Sequence, residues 1–313
     1  NIKYDIIFLT ILSDLSSIKN LKKKGSKVVL EVVDSYLIKT NLIEDILRFL
    51  GKEYIHKNFF RMVFPKKFTS ELKKAFKLVD AVICTTEEQK NIIREFNSNV
   101  HIILDYMDKD IIKVKPNRSL KKNTLNILWE GLPSNLINFE EIAEVFNELA
   151  KEIDINLHLV TDLASYKYFS KFYKVLSSDR IKKYKLKVNT YLYEWNFLSL
   201  SSLASVCDLA IIPLLQKNRF VLGKPENKLI LLWKLGLPVL TSYSSAYSST
   251  MKKADINMVC MNKEEWKQSI KKFNDLDFEK RNLLSKKVKL YAKTNYTKNK
   301  YIENWKKLFY SII

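Results

Sequence analysis

Cys207-Asp208-Leu209-Ala210-Ile211-Ile212-Pro213-Leu214 begins a segment that runs through Gly223-Lys224-Pro225-Glu226-Asn227-Lys228-Leu229 to Gly236-Leu237-Pro238-Val239. Its first part is a short apolar run, the mark of a strand buried in a parallel sheet. Asn227 to Leu235 has the apolar period of a helix, and Pro238 to Thr241 reads as the next strand. A strand, a loop, a helix and a second strand make one βαβ unit.

The same alternation continues on both sides. Upstream, strands are expected over Tyr4–Leu9, Lys27–Val33, Asp80–Cys84 and Val100–Leu104. Between them lie expected helices over Ser13–Lys24, stopped by Gly25, over the charged stretch from about Ile43 to Lys77, and over Glu87–Phe96 with Thr86 or Thr85 as its cap. A polar, basic stretch from Asp105 to Thr124 reads as a linker. The pattern then restarts with a strand over Leu125–Trp129, a turn over Glu130–Ser134, a helix over Asn138–Ile153 and a strand over Ile155–Val160. Further strands are expected over Lys185–Thr190 and Asn257–Met261, and a helix over Leu198–Val206; the chain then reads as helical to Ile313. The expected fold class is α/β, with two Rossmann-like domains facing a cleft. Ligands of such sheets bind beyond the carboxyl ends of the strands. Chemistry is therefore sought near Asp34, Thr85, Asp105, Gly131, Thr161, Leu214 and Thr241.

Composition narrows the function classes. The 313 residues are 47% hydrophobic and 12% aromatic, enough for a sizeable core. The formal charge of +20 is open to several readings: anionic lipid headgroups, phosphorylated small molecules, nucleic acid, or a biased base composition without functional meaning. The lysines are spread along the chain rather than gathered with aromatics, which disfavours a nucleic-acid partner. Cys84, Cys207 and Cys260 stand far apart, which fits neither a zinc site nor a disulfide framework. No metal and no cofactor is expected. The expected location is cytoplasmic, with peripheral docking at the inner membrane face as an extension of the charge argument.

The common catalytic signatures are missing: G-x-G-x-x-G, the P-loop and the G-x-S-x-G elbow do not occur. His158 falls inside an apolar strand and reads as a satisfied core or edge histidine. Asp108-Lys109-Asp110 is either a cation-binding D-x-D or a turn with solvated carboxylates. Gly223 to Lys228 is more specific. Two lysines and a helix N-terminus follow the carboxyl end of a strand, an arrangement that suits a diphosphate. Glu226 could accept from ribose hydroxyls. A capped helix start with exposed lysines is the alternative.

On these stretches the chain resembles the donor-binding half of the GT-B glycosyltransferases. There an Asp-led apolar strand ending in Pro precedes a Lys-led helix and a G-x-P-V turn. Ile127-Leu128-Trp129-Glu130-Gly131 resembles that superfamily's opening strand and glycine loop. Asp80 to Thr86 resembles a late strand of its first domain, and Tyr296 to Ile313 its terminal helix crossing back to that domain. The resemblance implies an acceptor domain over 1–115, a donor domain over 123–295 and a returning helix over 296–313. The first domain is short for the family and lacks its glycine-rich loop. With Asn1 as the first residue, this implies that an opening strand is reduced or absent.

The resemblance further implies metal-independent transfer of a sugar from a nucleotide-diphosphate sugar to a glycan or lipid-linked acceptor. Lys224 and Lys228 would hold the diphosphate. Gly131 would let the backbone approach it, and Glu226 and Asn227 would fix ribose or sugar hydroxyls. Trp195 and Thr161 would border the base. Asp34 is the candidate base, with a helix cap as its other reading. Many retaining members place a second glutamate where this chain has Leu231. The alternative function is a non-catalytic binding module for a phosphorylated or nucleotide ligand.

Overall fold

The computed structural model of the chain describes residues 4–37, 41–106, 111, 124–167, 173–217 and 223–313. Most of the expected linker and the Asp108-Lys109-Asp110 motif lie outside the described residues. Two compact units emerge: Asn1–Asp105 with Leu222–Pro225 and Lys298–Ile313, and Tyr106–Val221 with Glu226–Thr297.

The first unit holds four parallel strands, β1 (Ile6–Thr10), β2 (Lys27–Glu31), β3 (Ala81–Cys84) and β4 (Val100–Ile102), side by side in chain order. A sheet that advances in one direction through right-handed crossovers puts all its connecting helices on one face. These are α1 (Ile18–Lys23), α2 (Leu42–Ile55), α3 (Phe59–Val63), α4 (Phe68–Leu78) and α5 (Glu87–Ile93). The stretch read as helical from Ile43 to Lys77 is thus three helices, broken at Lys57, whose φ is +54°, and before Pro65.

Strand side chains alternate between faces. Val28, Leu30, Val82 and Cys84 join Phe49, Leu72 and Phe76 beneath the helices. Val29, Ala81 and Ile83 face the other way, where they meet Leu308 and Ile312 of the last helix, α13 (Lys298–Ile312). Phe8 packs edge-on against Trp305 and Phe309 of that helix.

The second unit carries a six-stranded parallel sheet, in the order Val259–Cys260, Val239–Ser242, Leu209–Ile212, Thr124–Glu130, Asp154–Thr161, Asn189–Glu194. Its strands are β5 (Thr124–Glu130), β6 (Asp154–Thr161), β9 (Asn189–Glu194), β10 (Leu209–Ile212), β11 (Val239–Ser242) and β12 (Val259–Cys260). Renumbered by appearance, this is the 3-2-1-4-5-6 order of a doubly wound nucleotide-binding sheet. Its helices are α6 (Ala143–Leu149), α7 (Ser177–Lys182), α8 (Phe197–Val206), α9 (Asn227–Lys234), α10 (Ser245–Lys253), α11 (Lys263–Asn274) and α12 (Phe278–Asn295). Gly236, at φ +86°, closes α9, and Leu237 N–H returns to Leu232 O.

The Asp-led strands share a physical device. Asp80 and Asp208 each precede a buried strand, and each exchanges two bonds with the start of the neighbouring one. Asp80 Oδ2 accepts from Val28 N–H at 2.8 Å while Asp80 N–H donates to Val28 O. Asp208 Oδ2 accepts from Asn126 N–H at 3.0 Å while Asp208 N–H donates to Asn126 O. In each unit the carboxylate pins the register at one end of a central pair.

Two further expectations needed correction, and one element was not foreseen. The helix expected over Asn138–Ile153 is a 3-10 helix over Pro133–Glu141 followed by α6. Leu136, Phe139 and Ile142 are all fully buried, and a spacing of three matches the 3-10 turn. The strand expected over Lys185–Thr190 begins at Asn189, because Lys185 at φ +47° is still part of a turn. An antiparallel pair, β7 (Ala164–Lys167) with β8 (Tyr173–Leu176), was not expected at all. His158 agrees with its reading: Tyr193 Oη and Asn126 Oδ1 lie within hydrogen-bond distance of its two ring nitrogens.

Candidate functional site

In an open parallel sheet the binding crevice lies where successive connections leave in opposite directions. In the second unit that point is between β5 and β10. Strand β5 ends on Trp129-Glu130, and Gly131 follows, its N–H held by Val160 O.

Lys228, in the first turn of α9, reaches this strand end. Its Nζ donates to Glu130 O at 2.6 Å and lies 3.6 Å from Glu130 Oε2. It also sits 5.6 Å above the Trp129 ring. The other Glu130 oxygen, Oε1, accepts from Trp195 Nε1 at 3.1 Å. Glu130 therefore ties the lysine to the tryptophan. The Lys228 and Glu130 side chains are 23% and 13% exposed, so the network is mostly shielded from water.

Gly131 makes the arrangement possible. A Cβ there would lie 2.8 Å from Lys228 Nζ and 3.0–3.1 Å from two Trp129 ring carbons. The absent side chain is thus the space that the ammonium occupies. Electrostatics make that placement notable. A cation in the first turn of a helix opposes the positive end of the helix dipole. The first turn of α9 contains no acidic residue, and Lys228 adds its charge to the positive end of the helix dipole. The result is an ammonium at a strand's carboxyl end, held by the Glu130 carbonyl and beside the Glu130 carboxylate.

Glu226 occupies the N-cap position of α9, and its side chain makes no capping bond. Its Oε1 accepts from Tyr296 Oη at 3.4 Å. Burial, reinforced by the charge of Glu226, pushes the phenols of Tyr296 and Tyr247 well above the usual tyrosine range. Asn227 is the first residue of α9 and is half-buried. Trp195 follows β9, its N–H bonded to Thr161 O. Thr161 ends β6 fully buried, and its hydroxyl has no hydrogen-bond partner among the described residues. Leu231 is buried in the apolar core.

Asp34 and Lys224 belong to the first unit and form an ion pair there, Nζ to Oδ1 at 2.9 Å. Lys224 and Lys228 thus take different partners. Next to Asp34, Ser35 Oγ donates to Gly223 O and accepts from Gln89 Nε2. Tyr36 is raised to about 12 by burial and by the Asp34 charge beside it. Asp34 is not the cap of the following helix; Asn41 caps α2 through Ile43 N–H.

The structure therefore gathers Gly131, Trp195 and Lys228 around Glu130. It puts Glu226 on Tyr296 and Asp34 on Lys224. Sequence reasoning did not single out Glu130, although a charged residue ending a buried strand just before a glycine is a usable signal. Tyr296 was read only as the start of a helix. Among the described residues no cluster of His, Cys, Asp or Glu has the make-up of a metal site.

No protein-family model and no curated protein sequence matches the chain. Solved structures do. TarM aligns with TM-score 0.64 at 13% identity, over 97% of this chain and 54% of its own, so this chain spans about half the length of TarM. Sucrose-phosphate synthase from Thermosynechococcus elongatus aligns with TM-score 0.63 at 11% identity, over 98% of this chain and 73% of its own. Anabaena HepE, solved in complex with UDP-glucose, aligns with TM-score 0.61 at 12% identity, over 98% of this chain and 78% of its own. These are GT-B glycosyltransferases, and the chain shares their fold.

Proposed function

We propose that the chain is a glycosyltransferase. It takes a sugar from a nucleoside-diphosphate sugar and passes it to a glycan or lipid-linked acceptor, without a metal ion. One observation carries the proposal: the Lys228 ammonium and the first turn of α9 put positive charge at the carboxyl end of β5, against Gly131. That the similarly folded HepE was solved with UDP-glucose agrees with it.

Breaking the sugar–phosphate bond leaves negative charge on the departing diphosphate. In this reading Lys228 turns from the Glu130 carbonyl and carboxylate to a phosphate oxygen. The ammonium and the helix N–H groups are fixed before the reaction, so they stabilise the leaving group without reorganisation. Lys224 is the second candidate cation. Glu226 and Asn227 take ribose or sugar hydroxyls, Trp195 and Thr161 border the base, and Asp34 is the candidate base toward the acceptor hydroxyl.

The test is a thermal-shift screen against nucleoside diphosphates and nucleotide sugars, followed by a product-release assay on those that bind. Binding that is lost in Lys228→Ala, with turnover in the wild type, supports the transferase. A buried leucine at position 231, where many retaining members place a second glutamate, favours a second reading, a binding module without chemistry. That reading predicts the same Lys228-dependent binding and no turnover. Absence of any nucleotide binding would overturn both.

A further inference from the structure

The first unit carries an apolar surface that the transferase reading does not use. Helix α2 is apolar on two sides. Phe49 is buried in the core, while Ile43, Leu47 and Tyr54 form a stripe at i, i+4 and i+11 that is 66%, 60% and 43% exposed. Helix α3 and the residue after it go further. Phe59, Phe60, Val63 and Phe64 are 62%, 80%, 68% and 68% exposed, and the Phe60 and Phe64 rings meet edge-on at 6.4 Å. Four large apolar side chains within six residues form a patch of the kind that marks an interaction surface.

The patch is held outward by its own helix. Arg61, in the middle of α3, points back into the unit. It pairs with Glu71 at 2.7 Å and Glu53 at 3.4 Å and lies 5.5 Å from the Phe49 ring. These contacts fix one side of α3 to α2 and α4 and leave the phenylalanines facing solvent.

The charge around the patch indicates what covers it. From Tyr54 to Ser70 the sequence contains Lys57, Arg61, Lys66 and Lys67 and no acidic residue. Lys57, Lys66 and Lys67 are exposed on either side of the phenylalanines. Of the carboxylates on α2 and α4, Glu44 pairs with Arg48, Glu53 and Glu71 pair with Arg61, and Asp45 accepts from Thr69. Aromatic rings flanked by lysines, without competing carboxylates, match a bilayer interface with anionic headgroups. Among the described residues no helix is long and apolar enough to cross a membrane.

We propose that the Tyr54–Lys67 segment is a peripheral docking surface for an anionic lipid bilayer, with Phe59, Phe60, Val63 and Phe64 inserted among the headgroups and Lys57, Lys66 and Lys67 on the lipid phosphates. Two weak signals, apolar insertion and basic attraction, combine to give stable but reversible attachment. The surface is independent of the nucleotide site, so it stands or falls separately from the transferase reading.

The test is co-sedimentation with vesicles of phosphatidylcholine containing roughly one-third phosphatidylglycerol, with pure phosphatidylcholine alongside. The wild type should bind the anionic vesicles and be released by salt. Phe60→Ser/Phe64→Ser should abolish binding while leaving the thermal midpoint unchanged, since both side chains are exposed. Lys66→Ala/Lys67→Ala should weaken it by roughly 25-fold, about fivefold per lysine. Failure to bind anionic vesicles, equal binding to neutral ones, or binding indifferent to the two phenylalanines overturns the proposal. So does a wild-type dimer, seen by light scattering, that the phenylalanine substitutions disperse without vesicle binding. Salt-sensitive binding to nucleic acid through the same lysines, with vesicles ignored, also overturns it.

Discussion

Gly131→Ala is a small change with a calculable consequence. The new methyl would lie 2.8 Å from Lys228 Nζ and about 3 Å from the Trp129 ring. Trp129 is buried, so the lysine is the group that moves. Its bond to Glu130 O is charge-assisted, and such bonds contribute about 1.5–3 kcal/mol. Partial exposure of Lys228 reduces the loss to about 1–2 kcal/mol. Replacing glycine also stiffens the unfolded chain, which stabilises by about 0.4–1 kcal/mol. The net expectation is a loss of roughly 1 kcal/mol. In a Lys228→Ala background the 2.8 Å clash is gone, and only the Trp129 crowding opposes the methyl. A double-mutant cycle by chemical denaturation should therefore show a coupling of about 1 kcal/mol between the two positions. Nucleoside diphosphate affinity, measured by calorimetry, should fall roughly tenfold or more in Gly131→Ala, because the ammonium is displaced from the helix end. Strict additivity in the cycle, or unaltered diphosphate binding, would refute the claim that this glycine exists to seat Lys228.

Other outcomes follow from the same geometry. Trp195→Phe keeps an aromatic ring but removes the bond to Glu130 Oε1; it should cost about 1 kcal/mol by denaturation and raise the apparent donor KM. Leu308→Ala empties a fully buried position under the first unit's sheet and should cost about 2–5 kcal/mol, with faster amide exchange in β2 and β3. Lys52 is lowered to about 8, chiefly by burial, against an ordinary value of 10.5. The folded state then binds fewer protons than the unfolded state between these values, so this group's contribution to stability rises with pH from about 8 to 10.5. Lys52→Met should remove that slope, seen as a difference between the two stability–pH curves; parallel curves would contradict it.

The fold was legible where a single cue fixed it. Apolar runs such as Ala81–Cys84 and Leu209–Ile212 are buried along their whole length, and Asp80 and Asp208, which precede them, pin the register against the neighbouring strands. Strand β9 was misplaced because it is an edge strand, mostly exposed, with no continuous apolar run to find. The antiparallel β7–β8 pair was missed because each strand has only four residues, Ala164–Lys167 and Tyr173–Leu176, too few to show a strand period. For the site, Gly131 and Lys228 could be picked out, but their relation could not. That the glycine makes room for the ammonium depends on a contact between residues far apart in sequence. Phe59 to Phe64 was read as one charged helix because helical period says nothing about which apolar residues remain in water.

The covering of the first unit's sheet by α13 has a consequence for biosynthesis. Val29, Ala81 and Ile83 leave the ribosome well before Leu308 and Ile312, which shield them. At ordinary translation speeds the interval between Ile103 and Ile312 is on the order of 10–40 s. Throughout that time one face of a nascent parallel sheet is bare and sticky. The second unit's segment Tyr106–Val221 is synthesised within this window. The first unit is thus obliged to wait for its own lid, and a holdase chaperone would find its substrate in that waiting sheet.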